Sequence, residues 1–472
     1  MTHDNQGSTA GRIASRRSVL RTLGAAGVAG VAVATRSGSA TAAPRGGFQF
    51  DRVVNMHEAG ADPTGGEPVD PIVDRYTESG TLLLFPPGEY RLNQFNPGFD
   101  TDLENFGIRG VNSKQVTFVP REGQGSDRYG TGYADKLFIN LWGVRNLLLG
   151  GFTVDCTAEN TGGRTQLLAD DGLVFRDVTF RGRHDVDRGP LLFCVFDEDG
   201  EGVVDRARLP DGSVGPDPNP VGVFVFRPHA GTLTFRNCHV EGFQDNGIYA
   251  SAPDDPGVIG VEGGYYANNN VAGVRLGQSE SYVKNATIVV DEVPDFWNRA
   301  FKNVNMRGIW QNDGEGMSVK NCEVVMATDV TSQGGIVSSK RSGGFTVENT
   351  TVRTEAPYRS FGISARRSQG EDGFGNQFED LSVTLRNVST TGDAPDAAAV
   401  DLRGRDGSLV ENARIRHSGT GRDGIRLLDS DATVRNAVID VAGEPIVAEG
   451  SDVTTRNVRY DDNGRGRGRS DR

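Results

Sequence analysis

Apolar and polar positions along this chain recur in one phrase: apolar-x-Asn-x-x-apolar, a short polar stretch, then Gly-Ile-x-apolar. Phe235-Arg236-Asn237 runs on to Val240 and is followed by Gly247-Ile248-Tyr249-Ala250. Val283-Lys284-Asn285 ends at Ile288 and is answered by Gly308-Ile309-Trp310; Val319-Lys320-Asn321 ends at Val324 and is answered by Gly335-Ile336-Val337. Val347-Glu348-Asn349 pairs with Gly362-Ile363-Ser364, and Val410-Glu411-Asn412 with Gly424-Ile425-Arg426. Val434-Arg435-Asn436 and Thr455-Arg456-Asn457 close the series. Degenerate copies stand at Val144-Arg145-Asn146, at Leu149-Gly150-Gly151, at Phe175-Arg176-Asp177 and at Ile259 to Tyr266. Near residue 380 either Phe378-Glu379-Asp380 or Leu385-Arg386-Asn387 fits.

The step is 24 residues from Asn412 to Asn436 and 21 from Asn436 to Asn457. That is too short for a strand-helix-strand unit of roughly 30 residues. Short β-branched runs with alternating polarity, broken by Gly and Asn, read as strands. Several such strands per step make one coil of a solenoid, in which no unit buries a core alone. The predicted fold is all-β, a parallel β-helix. Asn suits the turn because it tolerates a left-handed backbone. Stacked at about 4.8 Å per coil, the Asn side chains can also bond one another as a ladder.

Composition adds an address. Ser15-Arg16-Arg17-Ser18-Val19-Leu20-Arg21, an Ala/Gly/Val run from Leu23 to Ala34, and Ala40-Thr41-Ala42 have the form of a twin-arginine export signal over residues 1–42. The apolar run is too short to span a bilayer, so the expected product is extracellular or on the cell surface. It would be one β-helix domain over 43–460, followed by a disordered Arg/Gly tail over 461–472. The whole chain of 472 residues carries −13. Removing residues 1–42, whose five Arg and one Asp carry +4, leaves −17. That charge argues against nucleic acid as a partner. An acidic chain with six Lys, rich instead in Arg, resembles proteins of salt-loving archaea. Of the four Cys, Cys238 and Cys322 both follow a repeat Asn, but three steps, about 14 Å, is too far for a disulfide. No Cys/His spacing suggests zinc.

Residues 52–92 carry a second signature. Gly60-Ala61-Asp62-Pro63-Thr64-Gly65 precedes Gly80-Thr81-Leu82-Leu83-Leu84-Phe85-Pro86-Pro87-Gly88-Glu89-Tyr90. Between them Val69, Ile72, Val73 and Tyr76 share one face of a short helix. This resembles the N-terminal cap of the pectate lyase superfamily of single-stranded right-handed parallel β-helix proteins. The resemblance implies a capping helix over the open strand edges of the first coil. Here Glu67-Pro68-Val69-Asp70-Pro71 replaces the family's usual Asp-Asp-Thr run. The superfamily contains lyases, hydrolases, epimerases and proteins without known activity, so fold does not settle function. Of the polygalacturonase phrases only Asp170-Asp171-Gly172 is matched, and weakly.

A lyase of this type needs a base for the sugar C5 proton and a cation, calcium or Arg, to neutralise the uronate carboxylate. Counting from the Gly-Ile strand places Tyr249, Arg275 and Trp310 on one outward strip. Just beyond it come Asn312 and Asp313, then Lys340 and Arg341, Arg366 and Arg367, and Arg403 and Arg405. The candidate catalytic residues are Asp245 and Asp313 as carboxylates, with Arg275 and Lys340 as base or charge stabiliser. The candidate substrate-binding residues are Tyr249, Trp310, Arg341, Arg366, Arg367 and Arg403, stacking on sugar rings and pairing with acidic groups. Each also fits a bland role as a solvated turn residue or a turn cap. Phe296, Trp297, Arg299 and Phe301 lengthen one coil, as a groove wall or as loop packing. An insertion is expected over about 184–228; its Asp197-Glu198-Asp199-Gly200-Glu201 run has calcium-binding oxygens but no full ligand loop. The predicted function is binding or degradation of acidic polysaccharide, by β-elimination in the enzymatic case. The alternatives are a non-catalytic glycan-binding protein and a purely structural rod.

Overall fold

The structure, a computed structural model, describes residues 47–98, 101–121, 137–185, 189–214, 220–251, 256–294, 304–330, 332–355, 357 and 359–460. The export signal, the Arg/Gly tail and Phe296, Trp297, Arg299 and Phe301 lie outside these residues. The described residues belong to one compact unit, Ala43–Arg472.

Each coil contributes three strands, and each strand pairs in parallel with its counterpart one coil on. Thr232–Arg236, His239–Glu241 and Ile248–Ala250 form one coil. They pair with Val258–Glu262, Tyr265–Ala267 and Ala272–Leu276 of the next. Three parallel ladders result, and the chain is a parallel β-helix. The inward positions of the Gly-Ile strand, Ile248, Val274, Ile309, Ile336, Ile363, Val400 and Ile425, are all fully buried or nearly so. Burying each such side chain contributes roughly 1.5–3 kcal/mol. The Gly before the Ile has a steric cause. A Cβ on Gly308 would stand 2.4 Å from the Gly335 carbonyl oxygen and 2.7 Å from Val324 Cγ1. Ala399 fills the same place opposite Gly362, so one coil takes a methyl there.

The repeat Asn sits between the first and second strands. Asn237, Asn285, Asn321, Asn349, Asn387, Asn412, Asn436 and Asn457 all have φ between 49° and 57°. Their side chains form the expected ladder: Asn321 Nδ2 donates to Asn285 Oδ1 at 3.1 Å, Asn387 to Asn349 at 2.9 Å, Asn412 to Asn387 at 3.1 Å and Asn457 to Asn436 at 2.9 Å. Asn387 is therefore the copy near residue 380. Gly151, Asp177, Arg206 and Gly263 fill the same column in other coils, also with positive φ. At Arg206 the ladder bond is replaced by an ion pair, Nε to Asp177 Oδ1 at 2.6 Å. Asn146 has positive φ but stands in a different column, opposite Gly172, so the copy read at Val144 is out of register.

Two expectations need correction. The short helix is present where expected, Asp70–Arg75, the one helix among the described residues, but it is not visible as a cap over the first coil. Its neighbours are drawn into the ladders, Thr64–Pro68 pairing with Gly88–Arg91, which leaves only a brief connection to coil. The periodicity was still meaningful, since Val69 and Val73 are buried in the core cluster. The span 184–228 is also not one long insertion. Leu191–Val195, Glu201–Asp205, Arg208–Leu209 and Val223–Val225 are ladder strands in register with both neighbouring coils. All four Cys are buried and free, and burial pushes the Cys156 and Cys238 thiols up to about 12.

Candidate functional site

The third ladder presents two outward columns. The first runs Gln166, Leu192, Phe224, Tyr249, Arg275, Trp310, Val337, Ser364, Asp401 and Arg426, each the register partner of the one before. The second, two residues on, begins at Trp142, Leu168 and Cys194 and ends at Arg403, Leu428 and Glu449. Because strand side chains alternate between faces, the buried Ile and Val columns force these positions outward.

Tyr249, Arg275 and Trp310 form a stack in the middle of the first column. The Arg275 guanidinium lies 4.0 Å from the Tyr249 ring centroid and 4.5 Å from that of Trp310. Arg307 covers Trp310 at 4.1 Å, and Phe224 meets Tyr249 at 5.3 Å. The three side chains do share one face, but each is half-buried and much of each ring is covered by a guanidinium. Arg307 itself is buried, held by Gln333 Oε1 at 2.8 Å from Nε and by the Val271 carbonyl at 3.0 Å. Burial, with Arg366 and Arg275 nearby, pushes its guanidinium down to about 9.

Toward the N-terminal end the same face is aromatic. Leu168 and Cys194 point outward yet are wholly buried, because Trp142, Phe196, Phe224 and Phe226 pack over them. Trp142 lies 6.0 Å from Phe196 and 6.1 Å from Phe226. These rings are half-buried. Sequence reasoning missed them; the signal was the alternation Val223-Phe224-Val225-Phe226, hidden within the supposed insertion.

Toward the C-terminal end the face becomes a basic groove of about 600 Å³. Lys340, Arg366, Arg367 and Arg403 line it with Leu428, Asp429 and Glu449, so four of the sequence-predicted residues come together. Arg367 pairs with Asp429, and Arg403 Nε with buried Asp401 at 2.8 Å. Among the described residues, Lys340, Arg366, Arg275 and Arg307 have no carboxylate in ion-pair contact. Arg405 is not on this surface. It is fully buried and donates to the carbonyls of Arg366, Ser342, Gly343 and Ser339 at 2.9–3.2 Å and to Ser338 Oγ at 3.2 Å. It pins three coils together beneath the groove, and burial pushes its guanidinium down to about 10.

The two candidate carboxylates are held elsewhere. Asp245 Oδ1 accepts from the Asn246 backbone N at 2.7 Å and from the Asn246 side chain, a local turn cap. Asp313 is 3% exposed. Its Oδ1 meets Arg341 Nε at 3.0 Å and the Gly373 N at 3.3 Å; its Oδ2 accepts from Ser251 Oγ at 3.4 Å and from the Asn312 amide. Burial raises its carboxyl pKa, against the opposing pull of Arg341 and Arg275. Arg341 is thus turned toward Asp313 rather than into the groove.

The acidic run suggested for calcium does not fit the ion. Asp197 Oδ2 takes Arg145 NH2 at 2.7 Å, and no metal-holding group of three or more His, Cys, Asp or Glu exists among the described residues. Likewise no described helix is long and apolar enough to cross a membrane. The face can therefore attract anions and offer ring surfaces.

No protein-family model matches the chain, and no curated protein matches it. Solved structures do. The surface adhesin PfbA of Streptococcus pneumoniae is similar at 12% identity and a TM-score of 0.47, over 84% of this chain and 91% of that chain. The A-module of the Azotobacter vinelandii mannuronan C-5 epimerase AlgE6 is similar at 14% identity and 0.44, over 86% and 99%. The catalytic unit of a GH87 α-1,3-glucanase from Streptomyces thermodiastaticus is similar at 14% identity and 0.42, over 88% and 70%. At these identities the likeness is one of fold alone.

Proposed function

We propose that this protein binds acidic polysaccharide in the basic groove of its third ladder, as an exported β-helix protein of pectate-lyase-superfamily type. The observation that carries the reading is a cluster of cations without acid partners on a chain of −13. Among the described residues Lys340 and Arg366 line the groove with no carboxylate in ion-pair contact, and Arg275 and Arg307 stack on Trp310 beyond it. A chain this acidic has carboxylates to spare, so a groove whose lysine and one of whose arginines meet none of the described carboxylates is suited to an anion from outside. A polymer fits better than a small anion, because the groove is open and extends along successive coils. A twin-arginine export signal over residues 1–42 would carry the protein outside the cell, where such polymers occur, and the acidic, Lys-poor composition suits a saline setting.

Binding to de-esterified polygalacturonate, measured by calorimetry at stepped salt concentrations, tests this. The expected affinity falls as salt rises and falls about tenfold or more in Lys340→Ala/Arg366→Ala. Failure of the wild-type chain to bind any acidic polysaccharide would sink the proposal.

Catalysis is a second reading, favoured by Asp313. Burial raises the pKa of its carboxyl, the direction a proton donor requires, and Arg275 is close enough to influence it. Release of unsaturated or reducing ends from a bound polymer, abolished in Asp313→Asn with binding intact, supports this reading; binding without turnover removes it.

A further inference from the structure

Three of the ladder Asn residues carry a second pattern that the fold does not need. Asn285-Ala286-Thr287, Asn349-Thr350-Thr351 and Asn387-Val388-Ser389 each place a hydroxyl two residues after the Asn, with no Pro between. No other Asn in the chain is followed in this way. In the remaining ladder coils the same place holds His239, Glu323, Arg414, Val438 and Arg459. Asn-x-Ser/Thr is the acceptor pattern for N-linked glycans in secreted chains.

The scaffold presents these triplets as an acceptor must be presented. All three Asn are exposed, on the left-handed turn between the first and second strands, with φ of 57°, 49° and 53°. Thr287, Thr351 and Ser389 lie half-buried in one outward column of the second ladder, with Glu323 between the first two. Among the described residues their hydroxyls have no hydrogen-bond partner.

Hydrogen bonding then separates the three. A glycan attaches at Nδ2, the same atom that donates along the ladder. Asn387 Nδ2 is already used, donating to Asn349 Oδ1 at 2.9 Å. Asn285 follows Gly263 in its column, which has no side chain to accept. Asn285 and Asn349 join the ladder through Oδ1 alone, accepting from Asn321 and Asn387, and among the described residues their Nδ2 atoms have no acceptor. Asn285 and Asn349 stand two coils apart, about 10 Å, whereas Asn387 is one coil, about 5 Å, from Asn349. That is too close for two glycans side by side.

We propose that Asn285 and Asn349 are N-glycosylation sites and that Asn387 is not. The donor is a glycan activated as a lipid-linked phosphate or diphosphate. The Asn Nδ2 bonds to the anomeric carbon, the bond from that carbon to the phosphate oxygen breaks, the lipid phosphate leaves, and Nδ2 gives up one of its two protons. Oδ1 is untouched, so the ladder bonds from Asn321 and Asn387 survive the modification. The glycans stand at the turn between the first two ladders and leave the groove of the third ladder open. The inference rests on export of the chain, and a chain exported already folded is modified only where the folded surface offers a free Nδ2.

Glycopeptide mass spectrometry of the whole protein, recovered from its native cells and their medium, tests this. Added glycan mass is expected on the peptides that hold Asn285 and Asn349, and none on the peptide that holds Asn387. Thr287→Val keeps the Asn and a β-branched strand residue and should abolish the mass at Asn285 alone; Thr287→Ser should retain it. Arg16→Lys/Arg17→Lys, which keeps the chain inside the cell, should leave both Asn bare. Bare Asn285 and Asn349 in the wild-type chain, wherever it is recovered, overturn the inference. So does mass that persists at Asn285 in Thr287→Val, or mass found on Asn387.

Discussion

The two ends of the third ladder share one backbone and differ in almost everything they show to solvent. Beneath the aromatic end the inward positions are Leu, Phe and Val; beneath the basic end they are Ile, Val, Ala and Leu; both are buried until the last coil, where Ile446 is half-buried and Ala448 exposed. The outward columns diverge, with Trp142, Phe224 and Phe226 at one end and Lys340, Arg366 and Arg403 at the other. In a solenoid each coil contacts only its neighbours, so outward positions change from coil to coil without disturbing the core. The difference teaches that the repeat is scaffold and that the surface chemistry was laid on it coil by coil. The turn column differs in the same way. The later coils use Asn almost throughout, whereas the earlier ones use Gly151, the Asp177–Arg206 pair, Asn237 and Gly263.

The largest expected effect lies under the basic end. Arg405→Ala orphans several buried carbonyls at once and should cost about 3 kcal/mol or more, seen as a marked fall in unfolding temperature. Lys340→Ala, in the groove above, should leave that temperature unchanged. If Arg405→Ala is neutral, the groove does not depend on the pin assigned to it.

Acid should weaken both ends, through one buried histidine each. His229 accepts the Val195 N at 3.1 Å beside the aromatic end, and burial lowers its pKa to about 4. His417 lies below the basic end, where burial and then Arg422 lower its pKa to about 3. Both are neutral when folded and bind protons more readily when unfolded, near 6.5. Their stability is therefore present above pH 6.5 and lost as pH falls toward 4 and 3, at roughly 1.4 kcal/mol per pH unit for each. Unfolding in urea across pH 7 to 4 measures the slope, and His417→Leu should flatten it. A slope unchanged in that variant excludes His417 as a source.

Arg275 joins the two ends. Arg275→Ala removes a guanidinium from between two rings and should cost about 1–2 kcal/mol, with a change in the near-ultraviolet circular dichroism of Trp310. A variant of wild-type stability would mean that the stack is not held by Arg275. The smallest effect concerns the ladder. Asn387→Ala loses two side-chain bonds and leaves at φ 53° a residue without the short polar side chain that eases the left-handed backbone, about 1–2 kcal/mol; Asn387→Gly should recover part of it. Equal loss in both would remove the left-handed turn as the reason for Asn.

The scaffold was readable in the sequence because period and polarity repeat, and Asn and Gly mark the positions where backbone geometry excludes most other residues. The basic groove was readable for the same reason: counting from Gly-Ile gives the outward register, and Lys340, Arg366, Arg367 and Arg403 do line one cavity. The aromatic end was not, because its coils lack the phrase, with Arg206 where Asn is expected. Nor could counting separate Arg403, at the groove, from Arg405, whose side chain turns into a corner two residues later. The surroundings of Asp313 were equally hidden, since Gly373, which bonds it, comes 60 residues later in a loop with no repeat signal.

The central claim is that the C-terminal half of this face holds an anionic polymer. It is tested most directly by titrating the whole protein with de-esterified polygalacturonate at low and high salt, beside Lys340→Ala/Arg366→Ala. The account predicts salt-sensitive binding that the double variant loses by about tenfold or more, at unchanged unfolding temperature. Binding that ignores both salt and the two substitutions would contradict it.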